Sequence, residues 1–208
     1  MGIFITFEGP DGSGKTTQAR LLSQWLRDRG RDVVLTREPG GSDIGDQIRH
    51  VLHDSGNTAM AAQTEFLLYS ASRAQHVSQV ILPSLRAGKL VISDRYADSS
   101  LAYQGYGRGL DLKMLHAITA FATQGLQPDL TLYLDIAAGE GLERRLLGGE
   151  TWNRMDAEAL AFHQRVRAGY LELASAEPAR WAVIDANRPI HDIQEDVRGA
   201  VMARLEAD

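Results

Sequence analysis

The chain contains no cysteine, so no disulfide can brace it and no thiolate can hold a metal. Lysine is almost as scarce: only Lys15, Lys89 and Lys113 occur among 208 residues. Positive charge therefore rests mainly on arginine, whose planar fork suits bidentate contact with phosphate. No excess of positive charge exists either. The formal net charge is −5, which argues against general affinity for nucleic acid. No apolar run approaches the ~20 residues needed to span a bilayer. The first residues read as a strand of the fold rather than a cleaved signal. These absences lead to the expectation of a cytoplasmic protein with no nucleic-acid or membrane partner. Repeats and low-complexity linkers are also missing. With 44% hydrophobic and 24% charged residues, ordinary globular values, one domain over residues 1–208 with a substantial core is expected.

Against that background one stretch stands out. Gly9-Pro10-Asp11-Gly12-Ser13-Gly14-Lys15-Thr16 has the spacing of a phosphate-binding loop: glycine, four residues, glycine, lysine, then a hydroxyl residue. Ile3-Phe4-Ile5-Thr6-Phe7 before it is an apolar, β-branched run that reads as a buried strand. After it, Ala19, Leu22 and Leu26 recur at helical spacing. The loop therefore joins a strand to a helix N-terminus, where free N–H groups and the helix dipole attract phosphate. Lys15 is placed to reach the β- and γ-phosphates of a nucleoside triphosphate, and the Thr16 hydroxyl to ligate Mg²⁺.

Strand and helix patterns alternate along the rest of the chain. This predicts a three-layer α/β/α fold with a five-stranded parallel sheet and helices on both faces. Further strands are predicted at 32–36, 89–93, 130–135 and 181–185. Arg37-Glu38-Pro39-Gly40-Gly41 is a loop at a strand's carboxyl end, where such sheets line their ligand crevices. Ser42 or Asp43 can cap a helix running to about Leu52. A long helical stretch follows over 61–86, broken in its middle, with Phe66, Tyr69 and Arg73 on one face. An arginine on that stripe needs a partner for its charge, either in the core or on a ligand. Asp94 and Arg95 end an apolar strand; Asp94 is a candidate Mg²⁺ partner, direct or one ligand removed. Residues 97–109 read as a recognition segment more than a core element. Helices are predicted at 111–124, 156–175 and 189–205. Residues 139–156, with Arg144, Arg145, Gly148, Gly149, Glu150, Arg154 and Asp156, have the composition of a mobile lid over phosphates.

Taken together these blocks resemble the thymidylate kinases, and the resemblance covers essentially the whole chain. It rests on Phe7-Glu8-Gly9-Pro10-Asp11-Gly12-Ser13-Gly14-Lys15-Thr16, Thr36-Arg37-Glu38-Pro39-Gly40-Gly41, Asp94-Arg95-Tyr96, Ala102-Tyr103-Gln104-Gly105 and Pro128-Asp129-Leu130-Thr131-Leu132-Tyr133-Leu134-Asp135. It implies a phosphate-loop NTPase fold and a kinase that makes dTDP from dTMP, ATP and Mg²⁺, as a homodimer. By the same resemblance, Asp11 meets the sugar 3′-hydroxyl or lies near the metal, and Tyr69 stacks on thymine. Arg73 donates to a base carbonyl, Arg95 holds the dTMP phosphate, and Ser100 and Gln104 address the pyrimidine edge. Tyr103 sits where a ribose 2′-hydroxyl would clash; Glu38, Pro39, Arg49 and Ser99 complete the acceptor pocket. Some relatives carry a phosphate-loop arginine where this chain has Gly12; here arginines from the lid take that part. The spacing leaves open which of Arg144, Arg145 and Arg154 reaches ATP.

Rival readings come from the same scaffold. A GTP-dependent switch normally carries an Asn-Lys-x-Asp pattern, and none occurs. A deoxynucleoside kinase, or a kinase for another monophosphate, differs only in the acceptor pocket.

Overall fold

The computed structural model describes residues 2–147 and 154–206. Five parallel strands form one sheet among the described residues, in the order β2-β3-β1-β4-β5. They are β1 (Phe4–Glu8), β2 (Val33–Arg37), β3 (Leu90–Asp94), β4 (Leu130–Asp135) and β5 (Trp181–Asp185). β1 lies in the middle, between β3 and β4. Phe7 pairs with Asp94, and Asp94 with Arg37. The carboxyl ends of β1, β2 and β3 are therefore level, and the loops that follow them open on one crevice.

Side chains on β1 alternate between faces, as the two-residue repeat of a strand requires. Ile5 and Phe7 join Leu22 and Leu26 of α1 (Lys15–Arg27) and Val197 and Val201 of α9 (Ile190–Glu206) in one core. Phe4 points the other way, into a second core with Val77, Ile81 and Tyr96. A third core lies on that same face near β4 and β5, where Tyr133 and Trp181 pack on Phe162 and Tyr170 of α8 (Leu160–Ala176).

The remaining helices are α2 (Asp43–His53), α3 (Ala62–His76), α4 (Leu82–Arg86), α5 (Ala97–Ser100), α6 (Leu112–Thr123) and α7 (Ala138–Leu147). Ser42, not Asp43, caps α2: its hydroxyl accepts from the Gly45 N–H at 3.1 Å. The long helix expected over 61–86 is interrupted by a π-helical turn at Val77–Ile81, with Pro83 just beyond it. Proline has no N–H to give the preceding turn, and the wider winding accommodates that loss.

Two expectations need correction. Residues 97–109, expected as a recognition segment more than a core element, are a core element as well. They wind into α5 and a π-helical stretch, Leu101–Gly107, whose Leu101, Ala102 and Tyr103 are buried against α8 and α6. The helix expected from residue 156 starts at Leu160, because 154–158 form turns. Of the expected lid, 139–147 belong to α7, and Arg154, Met155 and Asp156 are buried. Gly148, Gly149 and Glu150 lie outside the described residues.

Candidate active site

A cleft of about 910 Å³ opens at the carboxyl ends of the strands. At one end lie Asp11, Gly12, Gly14, Lys15 and Thr16. At the other are Glu38, Pro39, Arg49, Tyr69, Ser100, Tyr103 and Gln104, with Arg95 and Ser99 in common reach.

The loop after β1 wraps with Gly9, Gly12 and Gly14 at φ 146°, 77° and 86°. Gly12 and Gly14 thus sit in the left-handed region, which a Cβ disfavours. Lys15 Nζ folds back over the loop, donating to Pro10 O at 2.7 Å and Ser13 Oγ at 3.4 Å. Burial, then the positive charge of Arg95, brings its ammonium down to about 8 against the pull of Asp11, Asp94 and Glu8. An ammonium held under such tension is ready for a stronger anion. The Thr16 hydroxyl donates to Asp94 Oδ2 at 2.5 Å, so the two candidate metal ligands meet across the β1–β3 seam. No group of three or more His, Cys, Asp or Glu placed to hold a metal exists among the described residues. One hydroxyl and one carboxylate at a phosphate loop fit an Mg²⁺ that keeps waters and takes its other oxygens from phosphates.

Arg95 is the hub. Its backbone has φ 72°, a strained value for a side-chain-bearing residue. Nη2 donates to Asp11 Oδ1 at 2.7 Å and to the Tyr103 hydroxyl at 3.2 Å. Nη1 donates to Gly9 O at 3.0 Å, Ser99 Oγ at 3.2 Å and the Tyr170 hydroxyl at 3.2 Å. Tyr103 also donates to Asp11 Oδ2 at 2.9 Å. Burial alone would raise the Asp11 carboxyl; Arg95, Lys15 and Arg145 outweigh it and hold it below the usual carboxylate range.

On the far wall, Arg73 is 1% exposed and does not line the cleft itself. Its charge is matched by Glu38 Oε2 at 2.8 Å, and Nη2 donates to Tyr96 O at 3.1 Å. Nη1 is buried with no partner, as is Ser100 Oγ. Buried polar atoms are rarely left so. His76 braces Glu38 from behind, spanning Glu38 Oε1 at 3.0 Å and Thr36 Oγ1 at 2.7 Å. Gln104 Nε2 donates to the fully buried Glu65 at 2.8 Å. Arg49 donates to Pro39 O at 2.9 Å.

A family model described as thymidylate kinase matches residues 7–197. The chain belongs to the thymidylate kinase family. It is 54% identical to the thymidylate kinase of Roseiflexus sp. (strain RS-1), over 97% of this chain and 94% of that protein. The thymidylate kinase of Geotalea uraniireducens (strain Rf4) is 48% identical, over 99% of each chain. A crystal structure of thymidylate kinase from Ehrlichia chaffeensis superposes with a TM-score of 0.79 at 34% identity, covering 97% of this chain and 98% of that one. The architecture is thus that of a phosphate-loop NTPase.

Within this thymidylate kinase scaffold the absence of a phosphate-loop arginine has a steric reason. A Cβ at Gly12 would stand 1.9 Å from Gly141 O, in α7, and one at Gly141 would stand 2.5 Å from Asp11 O. The loop and α7 touch backbone to backbone. α7 then brings Arg144 and Arg145 to the cleft. Arg144 donates to Ala186 O and Asn187 Oδ1, each at 2.8 Å, and Arg145 pairs with Asp156. Arg154 is placed elsewhere: it pairs with Glu65 at 2.6 Å and donates to Leu52 O, away from the cleft wall. The buried carboxylates Glu65 and Glu8, with Tyr170, His76 and the cleft-lining His53, were not anticipated from sequence. Glu8 had a readable signal, a charge closing an apolar strand. Tyr170, midway along a helix, had none.

Proposed function

We propose that the protein transfers the γ-phosphoryl group of ATP to the phosphate of dTMP, yielding dTDP for dTTP synthesis. The observation that carries this reading is the place of Arg95, in one cleft between the phosphate loop and the Glu38–Tyr69–Gln104 wall. A cation there meets the donor and acceptor phosphates together. The orphaned Ser100 Oγ on the cleft wall, with Arg73 Nη1 buried behind that wall, favours an acceptor with a polar pyrimidine edge, and Tyr69 offers it a ring to stack on.

The acceptor phosphate oxygen is the nucleophile. It is already anionic, so no general base is required. A bond forms from that oxygen to the γ-phosphorus as the bond to the bridging oxygen breaks, and ADP leaves. Lys15 leaves Pro10 O for the β- and γ-oxygens, while Arg95 holds the acceptor in line. Arg145, on α7, is the lid arginine best placed for the transferred group; Arg144, one position before it on α7, is held toward the donor side by Ala186 O and Asn187 Oδ1 of the loop after β5. Thr16 and Asp94 would hold Mg²⁺, which when bound would screen charge on the β- and γ-phosphates. α7, which carries Arg144 and Arg145 to the cleft, would cover this assembly and help exclude water. Positioning and charge neutralisation suffice for such a transfer.

Apolar side chains stand in water on adjoining helices: Ile44 and Val51 on α2, Leu67 on α3, and Met114 and Phe121 on α6. A second copy of the chain covering them accounts for the exposure, as a homodimer. No helix among the described residues is long and apolar enough to cross a membrane. On this reading the reaction belongs to the cytoplasm, as expected of an enzyme acting on ATP and dTMP.

A coupled assay of ATP with a panel of nucleosides and monophosphates tests the reading, with dTMP expected to give the highest kcat/KM. Lys15→Ala should lose transfer by a factor on the order of 10²–10³, with its melting temperature retained. Near-wild-type activity of that variant, or a preference for a nucleoside, overturns the assignment.

A further inference from the structure

We propose that Glu8 is a positioning residue for phosphoryl transfer: through the hydroxyls of Ser99 and Tyr170 it fixes the hydrogen-bonding direction of Arg95 Nη1. The inference rests on Arg95 being the acceptor-phosphate ligand. Glu8 itself is fully buried behind the cleft wall, as is Tyr170.

The geometry leaves little freedom. Glu8 Oε1 accepts two backbone N–H groups, Tyr96 at 2.8 Å and Ser99 at 3.3 Å. Those donors belong to the turn after Arg95 and to α5, and as backbone groups they cannot rotate. Glu8 Oε2 accepts the Ser99 hydroxyl at 2.6 Å and the Tyr170 hydroxyl at 2.8 Å. Each hydroxyl has one proton to give. With the protons drawn toward Glu8, both oxygens turn lone pairs to Arg95 Nη1, 3.2 Å from each. The two hydroxyls also lie 2.9 Å apart, so a proton passed between them still ends at the carboxylate. Arg95 Nη1 is thus held by three acceptors, the third being Gly9 O at 3.0 Å, and Nη2 by Asp11 and Tyr103. The guanidinium plane is set before any substrate arrives, as efficient transfer requires.

Glu8→Gln breaks this arrangement without changing its shape. The amide oxygen must stay with the fixed backbone donors, so the NH₂ group faces the two hydroxyls. They become acceptors toward residue 8, and their protons swing toward Arg95 Nη1, donor against donor.

Protonating Glu8 acts in the same direction in the native protein, because the one proton on Oε2 turns one of the two hydroxyls into an acceptor toward Glu8. Its carboxyl is pushed up to about 7 by burial first and by Asp98 on α5; Arg95, Ser99 and Tyr170 on α8 pull against this. Lys15 on α1 is the other charge felt there. Because the folded value is raised, this group's contribution to stability is full below its unfolded value and is lost as pH rises through about 7. At pH 8 the neutral glutamine therefore removes a buried charge, and the fold should survive.

The experiment compares wild type, Glu8→Gln, Tyr170→Phe, the double variant and Arg95→Lys in steady-state kinetics at pH 6 to 9, with melting temperatures. Glu8→Gln is expected to lower kcat/KM for dTMP by about ten-fold or more at pH 8, with KM for ATP within about two-fold. Tyr170→Phe should lower it less, and the double variant should fall no further than Glu8→Gln. The wild-type value should drop relative to Glu8→Gln as pH falls through about 7. The second ionisation of the acceptor phosphate, at about 6, is common to both enzymes and cancels in that comparison. Unchanged dTMP kinetics, equal loss for both substrates, or additive losses in the double variant would overturn the relay. If Glu8→Gln does not fold, Tyr170→Phe decides by the same split between dTMP and ATP. Should Arg95→Lys keep full kcat/KM for dTMP, the fault lies in the Arg95 assignment, whatever Glu8→Gln does.

Discussion

The ring of Tyr103 packs at 6.1 Å from Phe162 and 6.3 Å from Tyr170, edge to face. Its hydroxyl bridges Asp11 and Arg95. Packing and polar roles thus reside on separate parts of one side chain, and two variants separate them. Tyr103→Phe keeps the ring and frees Asp11 and Arg95 of one shared contact. Steric rejection of a 2′-hydroxyl should persist, so the ratio of kcat/KM for dTMP over ribothymidine monophosphate stays put while both values fall. Tyr103→Ala removes the ring; the ratio should narrow, and stability should fall by about 3 kcal/mol from the cavity. A ratio unmoved by the alanine would leave Tyr103 a packing residue only. At this scale the sequence was partly legible. Gly9 to Thr16 could be read because a phosphate loop imposes spacing and residue type together. The pairing of Arg73 with Glu38 could not: the two are 35 positions apart, and only the loop after β2 folding against α3, where Gly40 N also donates to Ser72 Oγ, brings them within 2.8 Å. The condition that Arg73 needs a partner was readable, and the fold supplies one while leaving Nη1 over.

Between elements, the phosphate loop and α7 are in contact at two glycines. In most helices, glycine to alanine stabilises by about 0.5–1 kcal/mol. At Gly141 the added methyl would press on Asp11 O, a backbone atom fixed within the loop. Overpacking of that kind costs about 1–3 kcal/mol, so the clash should win. Gly141→Ala is expected to lower the melting temperature and raise KM for ATP. Gly139→Ala is the control, because a methyl there meets nothing within 4 Å and should be neutral or stabilising. A stabilised Gly141→Ala enzyme with wild-type KM for ATP would mean that the loop and α7 do not touch in solution. Elements with strong periodicity or a fixed motif, such as β1, β4 and the cap of α2, were readable in advance. The π-helical stretch Leu101–Gly107 was not, since polar Gln104 and aromatic Tyr103 alternate with small residues in a pattern no regular helix produces. Its burial comes from α8, which is some 60 residues further on.

For the molecule as a whole, strand alternation was enough to read a parallel sheet, but not the strand order; the pairing of β1 with β3, which lets Asp94 meet Thr16, is seen only in the fold. What the alternation could not show is which outer faces stay uncovered. α3 is shared between two surfaces: Tyr69 lines the cleft, while Leu67 is in water. α2 and α6 flank it with Val51 and with Phe121, which is 84% exposed. Removing each such side chain from water contributes about 1.5–3 kcal/mol, so a two-fold contact across these helices would gain from several of them at once. Sedimentation equilibrium should therefore find a dimer, and Leu67→Glu with Phe121→Glu should shift it to monomer by placing paired charges at the seam. Because α3 also holds Tyr69 and Arg73, loosening its outer face should raise KM for dTMP more than KM for ATP. A wild-type protein that sediments as a monomer at micromolar concentration, or a monomeric variant with unchanged KM for dTMP, would separate the uncovered helix faces from the chemistry of the cleft.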